Sequence, residues 1–334
     1  MRDRGMIAMA QLVRDTIEAS GWAHNPARDP QTAEEYVALL RTLYEIGRRD
    51  LPLARLVEGH VDAVQIVGRH GTMQQVERLR ELVAQGATLG VWNAGLPGEP
   101  LRLDGGRLTG GKSYASGAGV LSHALVTADV LDGVQLILLD LARTEPEIDR
   151  GWWQVTGMQR SETHRVRWDG VLTDEDDLIG IPNVYAQEPY FSGGALRFVA
   201  VHAGGIAGIS DRVRDHLVRT DRASDPFQAA RLAELFALAD GAGAVVRRAA
   251  TRWFEEQGEA RLARIAAARL AVTDAAERSI VIAREAVGLA SQFITHPLSA
   301  MLSDLAVYLR QPVPDAQRLR VGRAVEGGLL APSL

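Results

Sequence analysis

Leu108-Thr-Gly-Gly-Lys-Ser-Tyr-Ala-Ser-Gly-Ala-Gly119 runs directly into an alternating apolar segment, His123-Ala-Leu-Val-Thr-Ala-Asp-Val130. Thr109, Gly110 and Gly111 predict a tight turn, because only glycine takes positive φ there without strain. Beyond it Tyr114 offers a flat apolar face, while Ser116 and the neighbouring backbone N–H groups offer hydrogen-bond donors. A flat aromatic beside small residues and donors suits a large planar ring, of which a flavin is one. It equally suits a β-hairpin turn with a packed tyrosine.

Outward from this stretch the chain changes character twice. Before it, apolar residues recur at helical spacing over Ala33–Arg48, Leu53–Val67 and Gln74–Gln85, as in Tyr36, Leu39, Leu40, Leu43 and Ile46. From about Ala87, glycine and proline become frequent, and short β-type runs follow: Val134–Asp140, Trp153–Thr156 and His164–Trp168. In the last run a period of two turns Val166 and Trp168 inward and Arg165 and Arg167 to water. These strands have no helices between them, which predicts a small antiparallel barrel or sandwich. After Tyr190 the pattern is helical again. Ala195–Arg219 is glycine-rich at its centre, and two long Ala- and Leu-rich stretches, Pro226–Gln257 and Arg261–Phe293, predict a long antiparallel bundle.

Composition narrows the classes. A chain of 334 residues exceeds the usual size of a single core, so two or three domains are expected. The net charge of -5 and the absence of a clustered basic face argue against nucleic acid as a partner. With no cysteine, disulfides, thiolate metal sites and a cysteine nucleophile are excluded. No spacing among the histidines suggests a metal site. The first ten residues are too charged for a signal peptide, and no apolar run reaches the ~18 residues of a membrane helix, so no membrane contact and a cytoplasmic location are expected.

Helices, then a small β-domain, then a long helical bundle is an order that resembles the acyl-CoA dehydrogenase family. Local matches agree. Ile46–His60 looks like that family's second N-terminal helical region, and Lys112-Ser-Tyr-Ala-Ser116 is similar to its Lys-x-Trp-Ile-Thr/Ser flavin segment. Gly157-Met-Gln-Arg-Ser-Glu-Thr163 resembles Gly-Met-Arg-x-Ser-x-Thr. Asp225-Pro-Phe-Gln-Ala-Ala-Arg-Leu-Ala233 resembles a bundle helix that reaches a neighbouring subunit's flavin. The resemblance implies an α+β, mainly α fold: an N-terminal α-helical domain (1–86), a middle antiparallel β-barrel (87–188) and a C-terminal four-helix bundle (189–334). It also implies FAD as cofactor, a small acyl-CoA or acyl-like substrate, an electron-transfer partner and a homodimer or homotetramer. Carried over by residue, Tyr114, Ala115 and Ser116 would stack on and hydrogen-bond the flavin ring. Trp92 and Asn93 would lie over its pyrimidine side. Arg222 would reach the pyrophosphate of a neighbouring subunit's FAD, Phe227 and Gln228 would touch that cofactor's adenosine part, and Gly288 would lie near the adenine. Each has a plainer alternative: Trp92 plugging the barrel, Phe227 in the core, Arg222 capping a helix or facing water.

The departures bear on function. Oxidation of an acyl thioester needs a carboxylate that takes the α-proton. Where the family has it, this chain reads Tyr308-Leu-Arg-Gln-Pro312, and the alternative position holds Phe198. The catalytic residue is therefore unassigned, with Glu188, Glu285, Asp304, His202 and His296 as substitutes. Three readings follow. The first is an FAD-dependent dehydrogenase with a displaced or absent base. The second is a flavin monooxygenase or oxidase on the same fold, favoured by Trp152-Trp153 and Ser116-Gly117. The third is a non-catalytic member.

Overall fold

A computed structural model describes residues 2–332. Four helices lead: α1 (Arg2–Ala19), α2 (Ala33–Arg49), α3 (Leu51–His70) and α4 (Met73–Ala84). Eight strands follow, β1 (Leu89–Trp92), β2 (Arg102–Asp104), β3 (Arg107–Ala115), β4 (His123–Val130), β5 (Gly133–Asp140), β6 (Glu147–Asp149), β7 (His164–Leu172) and β8 (Leu178–Ile179). The remainder is helical: α5 (Tyr190–Gly193), α6 (Ala195–Arg219), α7 (Pro226–Glu255), α8 (Gly258–Val287), α9 (Pro297–Tyr308) and α10 (Pro314–Glu326). Caps explain several starts. Thr32 accepts the Glu35 N–H, and Thr72 forms a reciprocal capping box with Gln75.

The described residues form two compact units. The first runs up to Asp29 and continues with Arg55–Gln154 and Gln159–Gln187. Its strands lie in the order β6-β7-β3-β2-β4-β5-β8, with β1 on β4. Period-two patterning sorts side chains to two cores. From β4, Ala124, Val126 and Ala128 join Trp92, Leu108, Ile137 and Trp168 on one face. Leu125 and Leu136 point the other way, into Ala63, Ile66, Val67, Leu79 and Val83 of α3 and α4. Val166 and Trp168 are buried as their alternation in β7 predicts.

Three expectations change here. Thr109, Gly110 and Gly111 are not a turn; they lie within β3, and the chain reverses at Gly105-Gly106 instead. Those glycines serve close approach, since a Cβ on Gly110 would lie 2.3 Å from Pro100 O and one on Gly111 2.2 Å from Val166 O. Pairing is not purely antiparallel, because β1 and β4 run parallel. Trp153–Thr156 is not a strand; its tryptophan packs into the aromatic group described below.

The second unit comprises Pro30–Ala54, Val155–Met158 and the chain from Glu188 onward. Here α2 packs on α6 backbone to backbone. A Cβ on Gly204 would stand 2.1 Å from Tyr44 O, and one on Gly208 2.3 Å from Arg48 O. Arg48 fastens the same contact through Asp211, with Nε–Oδ2 at 2.6 Å and Nη2–Oδ1 at 3.0 Å. Helices α7 and α8 run beside α6, and ion pairs Arg231–Glu285 and Arg278–Glu234 set α7 antiparallel to α8. Among the described residues no helix is long and apolar enough to cross a membrane.

Candidate functional site

In the first unit, residues 108–119 form most of β3 and the turn after it. The register of β3 against β7 shifts between Lys112 and Ala115. In a regular strand Lys112 and Tyr114 would share a face; the bulge separates them. Lys112 is buried, whereas Tyr114 is 57% exposed and sits at φ 54°, in the left-handed region. A non-glycine residue held there stores strain, which concentrates at functional positions. The Tyr114 ring meets Trp152 edge to face, with centroids 4.9 Å apart, and Trp153 at 6.4 Å. Arg165 lies 4.8 Å above the Trp152 ring. The result is an aromatic face backed by a cation.

The turn 116–120 is held from β7's side of the sheet. Gly117 N donates to Ser161 O at 2.8 Å, and Ala118 N to Glu162 O at 3.1 Å. Gly117 and Gly119 take φ of 78° and 85°, which an L side chain rarely adopts. Ser116 O accepts the Trp92 indole N–H at 2.9 Å, and Ser116 Oγ accepts the Thr163 hydroxyl at 3.0 Å. Thr163 Oγ1 in turn contacts Ser161 Oγ at 2.8 Å. The loop after β1 is tied down as well. Lys112 Nζ donates to Asn93 O at 3.1 Å and Thr127 Oγ1 at 2.8 Å, and Ser113 Oγ donates to Gly95 O at 2.8 Å. Burial pushes the Lys112 ammonium down to about 8, against a smaller upward pull from Asp129.

Trp92, Asn93, Tyr114, Ala115 and Ser116 are thus gathered in one unit, though not on one surface. Tyr114 and Asn93 are exposed and Ser116 is partly so; Trp92, 1% exposed, and Ala115 lie in the core. Trp92 spends its only donor on Ser116 O.

The other four lie at one end of the helical unit. Asp225 caps α7, its Oδ1 accepting Phe227 N and Gln228 N, both at 3.0 Å. With Pro226 at the first helical position, this fixes Phe227 and Gln228 in the first turn. Phe227 is 74% exposed, while Gln228 is buried and its Oε1 has no hydrogen-bond partner among the described residues. Gly288, at φ 72° and exposed, ends α8. Arg222 is exposed and lies close enough to His216 to disfavour its protonated form.

His216 belongs to a pair that sequence reading did not join. Its Nδ1 lies 3.1 Å from Nε2 of His296, whose own Nδ1 accepts Leu298 N–H at the start of α9. That acceptor role puts the His296 proton on Nε2, donated to His216. Burial lowers the pKa of both rings, and Arg219 adds to it. Deeper in the bundle His202 is enclosed by Phe198 at 5.4 Å and Tyr308 at 4.6 Å.

The candidate carboxylates already have partners. Glu188 accepts Ser192 N at 3.0 Å and its hydroxyl, at the start of α5. Glu285 faces Arg231 at the surface. Asp304 Oδ1 accepts the N–H of Met158, itself at φ 55°. Among the described residues no cluster of histidine and acidic groups could hold a metal ion.

Solved structures match along nearly the whole chain. FMN-bound TdsC from Paenibacillus sp. A11-2, a dibenzothiophene monooxygenase, superposes with a TM-score of 0.79 at 17% identity, covering 97% of this chain and 98% of that one. Butyryl-CoA dehydrogenase from Megasphaera elsdenii gives a TM-score of 0.75 at 15% identity over 98% and 90%. This chain has the acyl-CoA dehydrogenase fold. The 3-HSA hydroxylase from Rhodococcus sp. RHA1 shares it, with a TM-score of 0.71 at 15% identity over 99% and 97%. Neither protein-family models nor curated protein sequences give a match to the chain.

Proposed function

We propose that this chain is a flavin-dependent oxidoreductase working as a monooxygenase on a small organic molecule. The observation that carries the reading is the fate of the carboxylates. Glu188, Glu285 and Asp304 are engaged in capping, surface pairing and turn support, which leaves none of them poised to take an α-proton. Oxygen insertion by reduced flavin needs a dry, aromatic pocket rather than such a base. Tyr114, Trp152 and Trp153 supply an aromatic surface on which such a pocket would close around the bound ring. TdsC, of the same fold, has been seen with both FMN and indole.

The residues fit a flavin. Tyr114 presents an exposed ring for stacking, Ser116 carries an O–H with no acceptor among the described residues, and Asn93 stands on a loop fixed by Lys112. Flavin supplies the two-electron chemistry and the reaction with dioxygen. Reduced flavin, dioxygen and substrate give oxygenated product, water and oxidised flavin, so a separate reductant must return two electrons. That role defines the electron-transfer partner. FMN suffices for the ring contacts, whereas FAD would also use Arg222, Phe227, Gln228 and Gly288 of a neighbouring subunit. Exposed Phe227, Leu289, Phe293 and Ile294 favour a homo-oligomer, because single chains rarely leave such a patch open. The dehydrogenase reading keeps the likeness to butyryl-CoA dehydrogenase as support and would need a base other than these three carboxylates.

The test mixes protein with photoreduced FMN, admits air, and uses indole as probe. Oxygenated indole supports the reading. Anaerobic bleaching of bound flavin by butyryl-CoA, with no oxygenated product, would replace it with the dehydrogenase.

A further inference from the structure

Three hydroxyls stand in line behind the exposed aromatic face. Thr163 is 4% exposed and donates its single hydroxyl hydrogen to Ser116 Oγ at 3.0 Å. Its remaining contact, with Ser161 Oγ at 2.8 Å, must therefore be one in which Ser161 donates. Both donors run the same way, from buried Ser161 through Thr163 to Ser116. A chain with aligned donors polarises each bond in turn, so its last member becomes the strongest donor. That last member is Ser116, and no described residue accepts its O–H.

The backbone fixes this alignment. Gly117 N and Ala118 N are hydrogen-bonded to Ser161 O and Glu162 O, which locks the turn after Ser116 to the residues that carry the chain. Glu162 takes φ 42° between the two hydroxyl residues and binds His164 Nε2 at 2.9 Å. The hydroxyl line is thus built by two positive-φ segments facing one another.

We propose that Thr163 and Ser161 are positioning residues that aim and strengthen the Ser116 hydroxyl as a donor to an acceptor atom of the flavin ring. The inference rests on the flavin reading of the same site. Neither residue touches the ring itself; both act through Ser116.

The experiment compares the full-length protein with Thr163→Val, Thr163→Ser and Ser161→Ala, each titrated with FMN. Thr163→Val removes the hydroxyl at nearly constant volume, and Thr163→Ser restores it. Bound-flavin absorption is recorded at saturating FMN, along with the dissociation constant and the melting temperature. We expect Thr163→Val to weaken FMN roughly three- to tenfold, the loss set by one hydrogen bond to the ring. Its flavin absorption bands should move away from those of the wild type, Ser161→Ala should move them part-way in the same direction, and Thr163→Ser should restore both the bands and the affinity. A purely structural role lowers the melting temperature but leaves the saturated spectrum unchanged, and that outcome overturns the proposal. Should Thr163→Val not fold, the spectrum of Ser161→Ala decides alone. Failure of the wild type to bind FMN or FAD would strike the flavin reading instead, so the two failures are distinct.

Discussion

Gly204→Ala and Gly241→Ala place the same methyl group on helices of the same unit, and their effects should have opposite signs. At Gly204 the new Cβ would stand 2.1 Å from Tyr44 O and 2.9 Å from Arg48 N, all backbone atoms of α2. Contact distance is about 3.5 Å, so α2 and α6 must part by more than an ångström. No side chain can rotate to relieve this. Overpacking of this kind costs about 1–3 kcal/mol or more, and loss of the Arg48–Asp211 contact would add to it. Replacing a helical glycine by alanine returns about 1 kcal/mol. The net expectation is destabilisation by about 2 kcal/mol, which for a chain of this size lowers the melting temperature by roughly 3 °C. At Gly241 an added Cβ meets nothing within 4 Å. Only the propensity gain remains there, and stability should rise by about 1 kcal/mol. Thermal denaturation of both variants at neutral pH reads the difference. A Gly204→Ala protein as stable as the wild type would show that α2 does not lie on α6 as described.

Other outcomes follow from the same structure. His60 is fully buried with its Nδ1 accepting Leu89 N–H at 3.2 Å, and burial lowers its pKa from 6.5 to about 4. Because the folded value is the lower one, the neutral ring stabilises the fold above pH 6.5 and this contribution fades as pH falls towards 4, about 3 kcal/mol in all. Denaturation midpoints should fall less steeply over that window in His60→Asn than in the wild type. The His216–His296 pair, also lowered by burial, adds in the same direction, and His296→Asn, which keeps a cap acceptor for α9, should flatten the acid limb further. Asp304→Asn retains an acceptor for Met158 N–H and should cost under about 1 kcal/mol, whereas Asp304→Ala should cost about 2; equal urea midpoints for the two would contradict the turn-support role. Trp152→Ala removes the edge-to-face partner of Tyr114 and should weaken FMN or indole binding about tenfold in a fluorescence titration, with little change in melting temperature.

Much of this architecture was legible in the sequence, for reasons that are local. The stripes of α2, α3 and α4 and the alternation of β7 mark which face each element buries, and a residue's own neighbours determine those patterns. Asp225-Pro226 announces the start of α7, because a cap and its proline sit within one turn. What stayed hidden depends on distant partners. The glycines at 204 and 208 are plain in the sequence, but that they admit α2 is settled by atoms some 160 residues away. Gly110 and Gly111 read as a turn because close backbone approach and chain reversal call for the same residue. The bulge that exposes Tyr114, the alignment of Ser161, Thr163 and Ser116, and the His216–His296 contact leave no periodic trace. Tyr114 and Trp152-Trp153 were each visible in the sequence, and only the fold shows that they form one aromatic face.

Equilibrium titration of the purified protein with FMN, followed by its absorption and fluorescence, decides whether the chain binds flavin. A flavin site at Tyr114 and Ser116 gives saturable one-to-one binding with perturbed flavin bands, weakened by Tyr114→Ala and by Ser116→Ala. Flavin that stays unperturbed at concentrations where the protein is in excess, for FMN and FAD alike, would contradict it.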